Sequence, residues 1–485
     1  MDLHQDIYGH GSIELGDDGM PNIIDDIAER LFEAVRKNDL ETAVHVIQDG
    51  HVDVNQMTST SVTPLYIAMD NQNVAMVRML IENNADVDLA SYCHLYCTYE
   101  KPIVTAARIQ NREIIEMILN TGCLMEGSKS YCEGKTALQW AASHGNISLA
   151  ELLLAHGADI NWIGMYFHTA VHYAAIADKP AMVHWLLDRG AEININGDGR
   201  TPLHIAAVRG NEQIVRSLVE HSARLDTRDN FHFTPISLAC LRGHLAIVRY
   251  LMDARPPGVA YDLPECLRKA SESGHVSVVR YLLEQGADVN VANPAGETAL
   301  GLAAKGQCQT TVVLLTNGAN VNVVDHRGYS PLQQALIRDQ REISALLIRH
   351  GAALRTHTAS VESPLHIAFT MSNPILVKYI LQAGCHMSNE RWFTPAVVEQ
   401  KIRELDFQVP ALIRFRPESG VSMRVWRWIR ETFGRTRSLT QIARIAIREQ
   451  LVLATGGASI IPNIERLPLP PSLVSYLSFS DIFSE

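Results

Sequence analysis

The chain has 485 residues, 47% of them hydrophobic and 20% charged, with a formal net charge of −11 at pH 7. Such an acidic balance works against a nucleic-acid partner, because affinity for a phosphate backbone comes from neutralising phosphates with Lys and Arg. The start, "MDLHQDIYGHGSIELGDDG", has neither the basic nor the apolar part of a secretory leader, and no apolar run reaches about 18 residues. A soluble cytoplasmic chain is therefore expected, with the nucleus also open to it and no membrane partner. The eight cysteines, at irregular spacings, read as free thiols in a reducing compartment.

Residues 1–22 form an acidic tail that should be disordered, and a first helix is expected near Ile23. One grammar then recurs. It reads "TPLYIAMDNQNVAMVRMLIENNADVD" from Thr63, "TALQWAASHGNISLAELLLAHGADIN" from Thr136 and "TPLHIAAVRGNEQIVRSLVEHSARLD" from Thr201, and it returns as "SPLHIAF" from Ser363. Its apolar anchor falls at Leu31, Leu65, Ile103, Leu138, Val171, Leu203, Ile236, Leu267, Leu300, Leu332 and Leu365, in steps of 31 to 38 residues. That period resembles the roughly 33 residues of ankyrin repeats.

The residues of one unit explain its shape. Thr201 offers an N-cap oxygen, and Pro202 suits the first helical turn, where its missing N–H is not needed. Leu203, Ala206 and Ala207 make a small-residue packing face, Gly210 ends the helix, and Ile214, Val215, Leu218 and Val219 form the stripe of a second helix. One unit cannot bury its own face, so an all-α ankyrin solenoid of about 11–12 repeats is expected, stacked continuously over residues 23–389.

Recurrence also assigns the histidines. His172, His204 and His366 hold one repeat position and His156 and His350 another, which points to structural hydrogen bonding instead of catalysis. Cys93, His94, Cys97, Cys123 and Cys132 lack paired C-x2-C spacing and read as thiols, not as a metal site. One segment breaks the polar pattern between units. "NWIGMYFH" at 161–168 places Trp162, Met165, Tyr166 and Phe167 where other units carry Asp, Asn and Arg, and these four are the candidate substrate-binding residues. The alternative is that the rings pack on neighbouring fingers.

Beyond residue 389 the texture changes. From Glu390 onward there are 13 Lys and Arg against 10 Asp and Glu. Residues 390–436 read as a degenerate capping repeat, with Thr394-Pro395, followed by a connecting helix on which Val425, Trp428, Ile429 and Phe433 share a face. In "RSLTQIARIAIREQLVL", Ser438 is an N-cap, and Leu439, Ile442, Ala443 and Ile447 line one side of a helix over 438–450. The segment 464–477 then carries Ile464, Leu467, Pro468, Leu469, Pro470, Leu473, Tyr476 and Leu477. It is too short to build a core, so its apolar side chains call for burial by something else.

The spacing Leu439, Ala443, Ile447 is similar to the elongin-binding BC box of SOCS boxes, and Leu467-Pro468-Leu469-Pro470 resembles the cullin box. Behind ankyrin repeats, the pair identifies residues 437–485 as a SOCS box and the chain as resembling the ankyrin repeat and SOCS box family. Ala443 departs from the pattern, since many members have cysteine there, and a smaller side chain fills the elongin pocket less well. The resemblance implies that elongins B and C bury the 438–450 helix, that cullin-5 meets the cullin box at 464–477 while its RING partner brings a conjugating enzyme, and that the repeats hold a protein substrate for ubiquitination and degradation. It implies no enzyme activity, cofactor or metal. The alternative is a scaffold that binds elongins without recruiting a cullin.

Overall fold

The computed structural model describes residues 23–371 except 51, 96–97, 126–134, 165–166 and 355–361, together with 376, 379, 380, 383 and 385. The expected acidic tail, capping repeat and SOCS box lie outside the described residues. The chain divides into two compact units between Arg224 and Leu225.

The first unit is six helical hairpins: α1 (Ile23–Arg36) and α2 (Leu40–Gln48), α3 (Pro64–Asp70) and α4 (Val74–Glu82), α5 (Pro102–Ile109) and α6 (Arg112–Asn120), α7 (Ala137–His144) and α8 (Ile147–Ala155), α9 (Ala170–Ile176) and α10 (Pro180–Asp188), α11 (Pro202–Arg209) and α12 (Glu212–Glu220). The odd-numbered helices pack in succession as one layer, and α2 on α4, α4 on α6 and α10 on α12 build a second. The second unit repeats the plan with α13 (Pro235–Arg242), α14 (Leu245–Asp253), α15 (Leu263–Ser273), α16 (Val276–Glu284), α17 (Ala299–Ala303), α18 (Cys308–Thr316), α19 (Pro331–Ile337), α20 (Arg341–Arg349) and α21 (Pro364–Thr370). All eleven anchor residues are at most 3% exposed, so the period read in the sequence marks the core. Among the described residues no helix is long and apolar enough to cross a membrane.

Among the described residues the helical pattern is interrupted by one pair of strands. The 38-residue step from Leu65 to Ile103 is accommodated by a two-stranded antiparallel hairpin, β1 (Ser91–Cys93) and β2 (Thr98–Glu100). Glu100 at its end is buried and receives the Arg108 Nε–H from α5 at 3.2 Å, which ties the longer finger to the next helix.

The third residue of α7, of α9 and of α19 staples its repeat to the next. Gln139 accepts the Thr136 N–H at 3.0 Å and donates from Nε2 to the His168 carbonyl of the following finger at 3.0 Å. His172 does the same chemistry: Nδ1 accepts from the Thr169 N–H at 3.2 Å and Nε2–H donates to the Arg200 carbonyl at 3.1 Å. Gln333 closes the same pair of bonds in the second unit, to Ser330 and Glu362. His172 is therefore a neutral structural group, serving both as a cap and as a link between repeats.

Their burial has a pH consequence. The His172 imidazole is pushed from its ordinary 6.5 down to about 4, first by burial and then by His168 beside it. The unfolded chain therefore takes up a proton near pH 6.5 that the folded chain refuses until about pH 4. Stability is complete above 6.5 and falls as pH drops through that window, by about 2 kcal/mol at pH 5 for this one residue. His172→Gln keeps both bonds, as Gln139 and Gln333 do. Urea unfolding at pH 8 and pH 5 is expected to show a smaller acid loss in His172→Gln than in the unaltered chain; an unchanged loss would remove His172 from the account.

Candidate functional site

The aromatic finger at 161–168 is built on a turn that recurs along the chain. In one version Asn293 N–H bonds the Glu297 carbonyl and Gly296 N–H returns to Asn293; in another Asp325 pairs with Tyr329 and Gly328 returns to Asp325. Gly296 and Gly328 sit at the left-handed tip, with φ of 77° and 84°. The finger at 161–168 has the same frame: Gly164 N–H bonds the His168 carbonyl at 3.1 Å, and Phe167 N–H returns to Gly164 at 3.1 Å. The residue at its left-handed tip, with φ of 60°, is Phe167.

A bulky side chain in that region costs of order 1 kcal/mol and persists only where the surroundings enforce it. Gln139 does so here. The usual turn begins with an Asx side chain that accepts backbone N–H groups, as Asn293 accepts from Ala295 and Glu297. Gly164 has none, and the Gln139 amide occupies the space instead, so closely that a Cβ on Gly164 would lie 2.8 Å from its oxygen. From there Gln139 donates to the Trp162 and His168 carbonyls at 3.3 and 3.0 Å. His168 is braced in turn, stacked on His172 with ring centroids 5.2 Å apart and edge-on to Tyr173 at 5.5 Å.

The consequence is an apolar tip held outward. Phe167 is 54% exposed and Ile163 42%, while Trp162 is partly buried. Met165 and Tyr166 lie outside the described residues. Of the four residues expected from the sequence, Phe167 is exposed and Trp162 is partly buried, and Ile163, which was not among them, is exposed as well. Exposed apolar side chains recur on other fingers of the same unit, at Leu95 and Leu124, and on a finger of the second unit at Phe231. Nearby, Lys135 lies between the Trp140 and Tyr173 rings, 4.8 and 4.7 Å from their centroids, and burial lowers its pKa.

Exposed, rigidly held apolar side chains are of the kind that protein interfaces bury. Replacing Ile163 by Ser and Phe167 by Asn, a residue that tolerates the left-handed region, should leave the melting temperature nearly unchanged, within about 0.5 kcal/mol of stability. Capture of partner proteins by the tagged chain is expected to weaken. A large loss of stability would show instead that the two side chains are core.

Burial, with the Asp88 charge second, pushes the Cys123 thiol up to about 11, and burial also raises Cys240 and Cys308. Reactive cysteines are shifted the other way. Cys93 is a buried free thiol, while Cys97 and Cys132 lie outside the described residues.

With this geometry in view, comparison with known proteins is informative. The family model for ankyrin repeats matches residues 31–123, 103–197, 171–263, 262–325 and 305–391, and the SOCS box model matches 435–478. The chain is similar to human ankyrin repeat and SOCS box protein 16, 28% identical over 350 residues that make up 71% of this chain and 67% of the relative. It is also similar to the NAD-dependent deacetylase sir2B of Dictyostelium discoideum, 22% identical over 66% of this chain and 47% of that one. For several such relatives the chain spans half or less of their own length. Among solved structures, the ankyrin repeat domain of human ASB11 matches 47% of this chain and 99% of that chain at 23% identity, with a TM-score of 0.40. The elongin-facing residues Leu439, Ile442, Ala443 and Ile447 and the cullin-facing residues Ile464, Leu467, Pro468, Leu469, Pro470, Leu473, Tyr476 and Leu477 fall in or at the edge of the SOCS box match and outside the described residues.

Proposed function

Because the chain belongs to the ankyrin repeat and SOCS box family, we propose that it is the substrate-recognition subunit of a cytoplasmic elongin B/C–cullin-5–RING ubiquitin ligase. The observation that carries this reading is the order of the parts: a protein-binding repeat array followed by a SOCS box at 435–478. The array captures a protein substrate, with the Ile163 and Phe167 tip among its contacts. The helix at 438–450 inserts into elongins B and C, and the 464–477 segment meets cullin-5.

In this arrangement the chain performs no bond chemistry. Ubiquitin transfer needs a substrate lysine near the thioester of a charged conjugating enzyme, and the chain supplies that proximity by holding both on one assembly. Prolines 468 and 470 pre-order the cullin-facing segment, which reduces the entropy lost on docking. Affinity capture of the tagged full chain from cells with an active cullin-5 tests the reading. Joint recovery of elongins and cullin-5 supports it; elongins without cullin-5 would favour a scaffold that engages elongins alone.

A further inference from the structure

Three side chains of the first unit converge where the chain was expected to carry no metal. His184 and Asp188 lie one helical turn apart on α10, and His221 caps the end of α12 in the next repeat. His184 Nε2 is 3.5 Å from Asp188 Oδ2, His221 Nε2 is 3.2 Å from Asp188 Oδ1, and the three donor atoms all lie within 4.8 Å of one another. The edge of a tetrahedron with metal–ligand bonds of 2.0–2.1 Å is about 3.3 Å. The two carboxylate–imidazole distances, which run to different oxygens of Asp188, bracket that value.

The protonation chemistry points the same way. His221 Nδ1 lies 2.7 Å from the Ser217 carbonyl, which only accepts, so Nδ1 carries the proton. In the neutral ring Nε2 then presents a lone pair, and it faces a carboxylate oxygen. A metal ion placed between them would have a donor on each side. His184 brings a second imidazole, edge-on to the first with centroids 5.6 Å apart, to the same carboxylate. One dication would engage all three groups at once. The hydrogen bond from the non-ligating nitrogen of His221 to a carbonyl is also the usual second-shell device that fixes a metal-binding tautomer.

His221 occupies the helix-end position that His156 holds two repeats earlier, and His156 makes the same back-bond, from Nδ1 to Leu152 at 2.9 Å. Recurrence thus explains the Nδ1 contact, but not the carboxylate meeting Nε2. Arg189, next to Asp188, is engaged elsewhere, over the Trp185 ring at 3.8 Å and on Glu151 at 3.3 Å.

We propose that His184, Asp188 and His221 form a Zn2+ site that clips α10 to the end of α12. Two imidazoles and one carboxylate suit zinc by ligand type. The side chains of His184, Asp188 and His221 are 55%, 50% and 28% exposed, which leaves a fourth position open to water or to a side chain of a bound protein. The site is independent of the ligase reading.

The test uses the tag-free full chain, stripped with chelator and titrated with Co2+. One equivalent is expected to produce the visible d–d bands of tetrahedral Co2+, which Zn2+ then abolishes. His184→Gln and Asp188→Asn should each lose those bands. Melting measured in chelator should be the same for all three proteins, showing that the variants fold, and Zn2+ should raise the melting temperature of the unaltered chain alone. Absence of the bands, their persistence in both variants, or thiolate charge-transfer absorption in their place would overturn the proposal.

Discussion

Replacing Leu439 and Ile447 together with alanine is expected to abolish recovery of elongins B and C with the tagged chain. Both fall on the apolar side of the helix expected over 438–450, one at each end of its four-residue rhythm. Burying a leucine or isoleucine is worth roughly 1.5–3 kcal/mol, and truncation at the centre of an interface often costs more than about 2. Two such losses correspond to at least a hundredfold fall in affinity, enough to empty an affinity resin during washing. Ala443 sharpens the expectation, because a smaller side chain in the pocket leaves less binding energy in reserve. The circular dichroism of the ankyrin helices should not change. Undiminished elongin recovery would remove the helix from the elongin interface.

The second large effect separates cullin from elongin binding. In the triple variant Leu467→Ala, Pro468→Ala and Pro470→Ala, each proline lost frees a fixed φ and adds perhaps 0.5–1 kcal/mol to the entropy lost on docking, while Leu467 loses an apolar contact. The sum is of order 3–5 kcal/mol, again a hundredfold or more. The variant is expected to keep its elongins and lose cullin-5. Loss of both would assign the segment to the elongin interface, and loss of neither would end its assignment to the cullin.

The repeat core was legible in the sequence because packing dictates residue type at a fixed period. Leu203 and its ten counterparts are apolar, Thr201 caps, and Gly210 turns left-handed with φ of 84°, all from local chemistry. The hairpin at Ser91–Glu100 was legible only as extra length, since its pairing depends on partners across the finger and not on a strong strand pattern. The aromatic finger was visible as composition, but which side chain projects depends on register. Phe167 is at the tip because Gln139, more than 25 residues earlier, reaches into the space at Gly164. Likewise, His221 is indistinguishable from His156 in the repeat alignment, and only the packing of α12 beside α10 brings Asp188 against it. The elongin and cullin roles of the C-terminal residues came from their resemblance to the BC box and the cullin box.

The reading that links both ends of the chain makes one demand that neither end makes alone: proteins held by the repeats must receive ubiquitin. The direct measurement is a reconstituted reaction. Proteins captured by the full chain in proteasome-blocked cells are released and mixed with the purified chain, elongins B and C, cullin-5 with its RING partner, activating and conjugating enzymes, and ubiquitin. Ubiquitin is expected on captured proteins with the unaltered chain, and not with the Leu467, Pro468 and Pro470 variant. Captured proteins that stay unmodified while cullin-5 is bound to the complex would contradict the account.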